Sequence, residues 1–282
     1  MIFADAHSHI NPVKGLGYKI AEKFKEKNGW FISFISASPW DYFDDFQGFK
    51  SYQKMIEYQI NECKKANNLG IKSVCIAGFH PEDIDFIIDK YHASPSYVLD
   101  LGLKVVEYEG NLCKEGQLFG LGEVGRQHYK SMPERIAVSQ IILEKALEIA
   151  KDNDCMVHLH LENSNIDTVK IIDYSVNKIN IKDKRKIVFH HAKPSMIIDA
   201  YNLGYSATLY GIDPVLSKAF SSLPPIFMIE SDFPDMPNIK KTVAPWELPQ
   251  KILDIYNRLS IDEKYLYKIN VENVENAYKI KP

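Results

Sequence analysis

Met1-Ile2-Phe3-Ala4-Asp5-Ala6-His7-Ser8-His9 begins as a short apolar run and ends in a carboxylate and two imidazoles. If the run is a strand, side chains alternate between its faces, so His7 and His9 point the same way and can share one cation. A single His-x-His says little. Its weight comes from repetition along the chain. The run at residues 2–5 is followed by others at 30–37, 72–77, 118–121, 156–160, 186–190, 205–209 and 226–229, each rich in β-branched or aromatic residues. Between them lie helical periodicities at 53–67, 133–152, 166–179, 194–203 and 245–259, with one or two terminal helices over 263–278. Strands alternating with helices predict a parallel sheet. A length of 282 residues suits closure into a (β/α)8 TIM-type barrel, a single α/β domain spanning 1–282. A doubly wound open sheet is the structural alternative.

The bulk properties narrow the function. A net charge of −3 is far from the basic balance of a protein that coats nucleic acid. No window reaches the length of an apolar membrane span, so no membrane partner is expected. No apolar leader segment follows Lys14 and Lys19, which predicts a cytoplasmic protein. The four cysteines (Cys63, Cys75, Cys113 and Cys155) show no close paired spacing and are expected to be reduced thiols. Oligomeric state is not encoded in any feature of the sequence.

Eight of the nine histidines fall at or just after the end of an apolar run: His7, His9, His80, His128, His158, His160, His190 and His191. Only His92 lies in a helix-like stretch. In a (β/α)8 barrel the C-terminal strand ends form one face, so these residues should converge there. Carboxylates join them. Gly122-Glu123-Val124-Gly125 places one between glycines, and Ile229-Glu230-Ser231-Asp232 ends the last run in acid. A donor set of nitrogen and oxygen suits Zn²⁺, Mn²⁺, Mg²⁺, Ni²⁺ or Fe²⁺, and argues against copper(I) or an iron–sulfur cluster. Four imidazoles and two carboxylates exceed the need of one tetrahedral ion. They suffice for two divalent ions about 3.5–4 Å apart with a bridging carboxylate, an arrangement that activates water for hydrolysis. Metal affinity should fall below about pH 6.5, because imidazoles must be neutral to bind.

In its ordered motifs the chain resembles the TatD-related metal-dependent hydrolases of the amidohydrolase superfamily. Asp5-Ala6-His7-Ser8-His9 is similar to the family's first-strand motif, Gly78-Phe79-His80-Pro81 to its Gly-x-His-Pro, and Gly122-Glu123-Val124-Gly125 to its Gly-Glu-x-Gly. Met156-Val157-His158-Leu159-His160 occupies the Pro-Val-x-x-His position. Phe189-His190 and Glu230-Ser231-Asp232-Phe233-Pro234 follow in order, and Asn270–Tyr278 resembles the terminal helix. The resemblance implies one metal held by His7, His9 and Asp232 and a second held by His160 and His190, with Glu123 bridging. His160 is preferred to His158 because the family histidine lies three residues past the valine, and His190 to His191 because the ligand directly follows the apolar run. The resemblance makes Asp232 the acceptor of the attacking water's proton, Glu123 its catalytic partner, and His80 a contact for substrate or phosphate.

The sequence also departs from the nuclease-like members. They continue Gly-Glu-x-Gly with Leu-Asp-Tyr, whereas Arg126-Gln127-His128-Tyr129 stands here, a form that resembles the archaeal branch. Arg126 either binds a phosphate or carboxylate, with His128 beside it, or braces the barrel. The resemblance implies two divalent ions (Zn, Mn or Mg) and a phosphodiester substrate, with DNA ends as one form. Hydrolysis of a small amide, lactone or ester is the alternative, and a non-catalytic metal- or ligand-binding barrel is the third reading. Residues 38–50 (SPWDYFDDFQGFK) carry five aromatic residues and three aspartates behind the second strand. They form either a lid and substrate wall or a loop folded onto the outer surface.

Overall fold

The computed structural model describes residues 1–162, 164–236 and 242–282. Eight parallel strands follow one another around the sheet in chain order. They are β1 (Phe3–His9), β2 (Gly29–Ile35), β3 (Lys72–Ala77), β4 (Gly120–Gly125), β5 (Met156–His160), β6 (Ile187–Phe189), β7 (Ser206–Tyr210) and β8 (Met228–Glu230). Past the end of β8, Asp232 N donates to His7 O at 3.0 Å and His9 N to Phe233 O at 2.8 Å, which brings β8 back to β1 and nearly closes a (β/α)8 barrel. The open-sheet alternative is thereby set aside.

The helices are α1 (Lys19–Lys25), α2 (Pro39–Tyr42), α3 (Phe49–Asn68), α4 (Pro81–Tyr91), α5 (Pro95–Lys114), α6 (Pro133–Asn153), α7 (Ile166–Ile179), α8 (Pro194–Asn202), α9 (Asp213–Ser222), α10 (Leu248–Leu259), α11 (Glu263–Tyr267) and α12 (Asn273–Tyr278). Proline occupies the first or second helical position of many of them, where its missing N–H costs nothing. Two apolar layers result. One lies between strands and helices; the other fills the barrel interior with Ala4, Ala6, Phe31, Ile76, Val188 and Met228. Val274, Ala277 and Tyr278 of α12 belong to that inner layer, so the C-terminal helix plugs the barrel from the end opposite the strand C-termini. No helix among the described residues is long and apolar enough to cross a membrane.

Regular pairing slips once between Phe3 and Ala4 and fails at two further places, and those two carry the chemistry. The β1–β2 register shifts between Asp5 and Ser8, and the β4–β5 register between Leu121 and Val124. Such irregularities re-aim side chains. β1 runs on to His9, four residues beyond the apolar stretch, because His7 and His9 point into the barrel mouth. β4 continues through Gly125, where the sequence reads as a turn. The glycines permit close approach to β5: a Cβ on Gly125 would lie 1.8 Å from His160 O.

The cysteines correct the expectation of reduced thiols. Cys63 pairs with Cys75 and Cys113 with Cys155 as disulfides. Their Cα separations are 6.2 and 6.4 Å, within bridging range. Helix-on-strand packing brings the partners together across 12 and 42 residues of chain, which spacing in the sequence does not reveal.

Residues 38–50 divide between the outer shell and the barrel mouth. Trp40 stacks on Phe86 at 3.9 Å and Phe46 contacts Tyr91 at 5.2 Å, so their rings lie against α4. Ser38 and Asp41 instead line the barrel mouth.

Candidate metal centre

A cavity of about 460 Å³ opens at the C-terminal ends of the strands. Its lining includes His9, His80, Glu123, His160, His190 and Asp232. Glu123, 5% exposed, sits at the centre. Its Oε1 lies 2.9 Å from His190 Nε2, 3.2 Å from His160 Nδ1 and 3.5 Å from His7 Nε2. Its Oε2 lies 3.6 Å from His80 Nε2 and 3.9 Å from His9 Nε2. Asp232 Oδ1 is 3.5 Å from His9 Nε2 and 3.9 Å from His7 Nε2. Strands as distant in sequence as β1 and β8 thus bring all six sequence-expected metal-binding side chains to one place.

The electrostatics follow from the crowding. Burial alone would protonate Glu123, yet the charges of His190 and His7 and hydrogen bonds from His160 and His190 hold it well below the usual carboxylate range. Burial opposes charge on His9 as well, but the Asp232 hydrogen bond and the charges of Glu123 and Asp232 push it up to about 9. Burial, reinforced by the charge of His190, drives His7 well below the ordinary imidazole value. His80 falls to about 3 through burial and the neighbouring His160.

Outer contacts fix which ring nitrogen faces inward. His9 Nδ1 donates to Ser36 O at 3.2 Å, and His190 Nδ1 to Glu230 Oε2 at 2.9 Å, so Nε2 of each ring faces the cavity and is the nitrogen that gives up its proton when a cation binds. Nε2 of His160 lies 2.7 Å from His128 Nδ1, which leaves Nδ1 of His160 toward Glu123. His80 is different. Its Nδ1 accepts the Glu82 N–H at 3.1 Å, so in the neutral ring Nε2 carries the proton and points a donor, not a lone pair, at the cavity.

The donor set fits divalent cations. It contains only nitrogen and oxygen, and the triads His7–His9–Asp232 and His7–Glu123–His190 each bring one ligand atom per residue within 4.8 Å of the others. His7 Nε2 is buried without a hydrogen-bond partner, an arrangement that a cation would satisfy.

The remaining residues separate. His128 is exposed at the rim against His160. Arg126 is buried and does not line the cavity. Its Nε and Nη2 donate to Glu162 at 2.9 and 2.5 Å, and its Nη1 to Gln140 at 2.8 Å. His191 stacks on His190 at 4.0 Å, with a buried and unpartnered Nε2. His158 lies behind His7 in the barrel interior, their Nδ1 atoms 3.2 Å apart. Sequence reasoning gave no role to Ser36 or Glu230, which orient His9 and His190. Glu230 had a visible signal, an acid ending an apolar run; a backbone carbonyl such as that of Ser36 has none.

Comparison with known proteins places this geometry. The sequence profile described as TatD related DNase matches residues 4–279. An uncharacterized protein of Methanocaldococcus jannaschii is 22% identical over 285 residues, covering 97% of this chain and 94% of the relative. Among solved structures, a TatD homologue of Escherichia coli K12 aligns with a TM-score of 0.66 at 15% identity, covering 99% and 98% of the two chains. A TatD-like protein of Archaeoglobus fulgidus aligns at 0.59 and 15%, covering 97% and 100%. The phosphotriesterase homology protein of Escherichia coli, solved with phosphate in its active site, aligns at 0.65 and 11%, covering 98% of each. These structural likenesses speak to fold, and the profile speaks to descent. The chain belongs to the TatD-related DNase family, a family of metal-dependent hydrolases.

Proposed function

We propose that this protein hydrolyses phosphodiester bonds with two divalent ions, acting on DNA strand ends or on small phosphodiesters. The observation that carries the reading is Glu123, held ionised between His7, His160 and His190 while His9 and Asp232 complete the ring. His7, His9 and Asp232 would hold one ion and His160 and His190 the other, with Glu123 between them. Such ions supply Lewis-acid stabilisation of phosphoryl oxygens and acidify a water at neutral pH.

The protein's own groups do the rest. The Asp232 carboxylate, partly exposed and backed by His9, accepts the proton of the attacking water and returns it to the ester oxygen that leaves as the P–O bond breaks. The His80 Nε2–H donates to a phosphoryl oxygen, and His128 meets the outer part of the substrate at the rim. Arg126 braces: with its donors committed to Glu162 and Gln140 it ties the end of β4 to the segment after β5. The cavity volume suits one terminal nucleotide.

One observation favours the second reading, a small ester or lactone as substrate. Among the described residues lining the mouth are the acids Asp41 and Glu82, and no lysine or arginine. The described lining thus offers a polyanion no cationic side chain. The decisive experiment incubates Mn²⁺- or Zn²⁺-loaded protein with oligonucleotides, a nitrophenyl phosphodiester and a lactone panel, with Asp232→Ala as control. Nucleotide release that Asp232→Ala abolishes supports the phosphodiesterase. Lactone turnover without nucleotide release replaces it with the second reading.

A further inference from the structure

His158 and Tyr278 have no role in the reaction as described, yet both are fully buried directly beneath the centre. Tyr278 belongs to α12, the helix that plugs the far end of the barrel, and its ring packs on Phe31 at 4.6 Å. Its hydroxyl lies 2.9 Å from Ala6 O and 2.9 Å from His158 Nε2. A carbonyl oxygen only accepts, so the single phenolic proton goes to Ala6. The phenol oxygen then serves His158 Nε2 as acceptor, and His158 carries its proton on Nε2. A neutral imidazole with Nε2–H has a lone pair on Nδ1, and that atom faces His7 Nδ1 at 3.2 Å. His7 must therefore be the donor, with its proton on Nδ1. The donors then run one way along the series, from His7 through His158 and Tyr278 to the Ala6 carbonyl.

We propose that Tyr278 and His158 are positioning residues that lock His7 as its Nδ1–H tautomer and so aim the Nε2 lone pair at Glu123 and Asp232. The opposite polarity would place a hydrogen on His7 Nε2, and His7 could not ligate a cation. The usual outer partner of a metal-binding imidazole is a carboxylate or a carbonyl. His7 has a second imidazole instead, whose own polarity must be set, and Tyr278 and the Ala6 carbonyl set it from the barrel floor. The proposal rests on the reading of His7 as a ligand, but its first test does not.

That test is the ring nitrogen spectrum of metal-free protein labelled with ¹⁵N-histidine, His7 being assigned by its loss in His7→Gln. The expected result is protonation of His7 on Nδ1 in the wild type and a mixture of both tautomers in Tyr278→Phe, a change that removes one oxygen and keeps the ring. Protonation on Nε2 in the wild type overturns the proposal without any variant. Zn²⁺ titration by calorimetry gives the second readout. Tyr278→Phe and His158→Leu should weaken affinity by about 10- to 100-fold, and His158→Gln, which retains an acceptor and a donor, should recover most of it. Unchanged His7 tautomer and Zn²⁺ affinity in Tyr278→Phe also overturn it. Unaltered Zn²⁺ affinity in His7→Ala would instead refute the ligand assignment, a separate result that the tautomer spectrum does not share.

Discussion

Glu123 in the barrel mouth and Glu109 in the helical shell are both buried glutamates, and their surroundings drive them in opposite directions. Glu123 is 5% exposed and lies within 3.5 Å of three imidazoles, and the charge of His190 with hydrogen bonds from His160 and His190 keeps it ionised. Glu109, on α5, is 0% exposed, and neither of its oxygens has a hydrogen-bond partner. Burial, with the negative charge of Asp83 added, drives its pKa well above the carboxylate range. Burial raises a carboxyl pKa until opposite charges and donors outweigh it. In the mouth they do; in the shell they do not. One glutamate is available for charge chemistry and the other behaves as a neutral polar residue inside an apolar layer.

The largest effect tests the mouth. Glu123→Gln keeps the size of the side chain and removes its charge, so hydrolysis should fall by about 10³-fold or more, as several kcal/mol of charge stabilisation disappear. Measured by steady-state kinetics at saturating metal, a loss under tenfold would mean that the central carboxylate is not part of the reaction.

The shell should respond to a different treatment. Cys63–Cys75 and Cys113–Cys155 tie α3 to β3 and α5 to the residue before β5. Loops of 12 and 42 residues are closed in the unfolded chain, which corresponds to roughly 3 and 4 kcal/mol of stabilisation in the chain-entropy account. Reduction should lower the midpoint of chemical unfolding while leaving Zn²⁺ affinity of the folded protein within twofold. If reduction weakens metal binding as strongly as it destabilises the fold, mouth and shell are not separable.

The same division governs what could be read from the chain. The strands were legible because each is a short apolar run, and the centre because its imidazoles recur at strand ends. Residues 122–125, behind the run at 118–121, read as a turn since glycine disfavours strands; they continue β4 because β5 approaches too closely for side chains. Helix α5 was missed for a related reason. Gly102 and Gly110 interrupt its periodicity, yet they let Ile142 and Ile149 of α6 press against the α5 backbone. Helix α4 begins directly at the His80-Pro81 motif, so its first turn reads as part of the site. The disulfides, the Arg126–Glu162 pair and the His158–Tyr278 contact depend on tertiary packing between distant elements, which no local pattern announces.

The smallest effect probes Glu109 directly and carries a definite sign. Its ordinary pKa is 4.5, and in the folded protein it is much higher. Above about pH 4.5 the unfolded chain releases this proton while the folded protein retains it. The folded state therefore binds more protons, and stability declines as pH rises. The contribution is complete below the unfolded pKa and is lost progressively up to the folded one, by as much as about 1.4 kcal/mol per pH unit. Glu109→Gln has no proton to lose and resembles the neutral acid in shape. The variant and the wild type should be similarly stable near pH 5, and the variant should become the more stable of the two as pH rises to 8, as measured by urea unfolding of metal-free protein. Asp83 is raised to about 7 by burial and titrates in the same interval in both proteins, and its charge, which pushes Glu109 further up, has no acid to act on in the variant. Parallel stability curves would mean that Glu109 is ionised in the folded state and that an unrecognised cation or donor reaches it, in which case the shell treats its carboxylate as the mouth does.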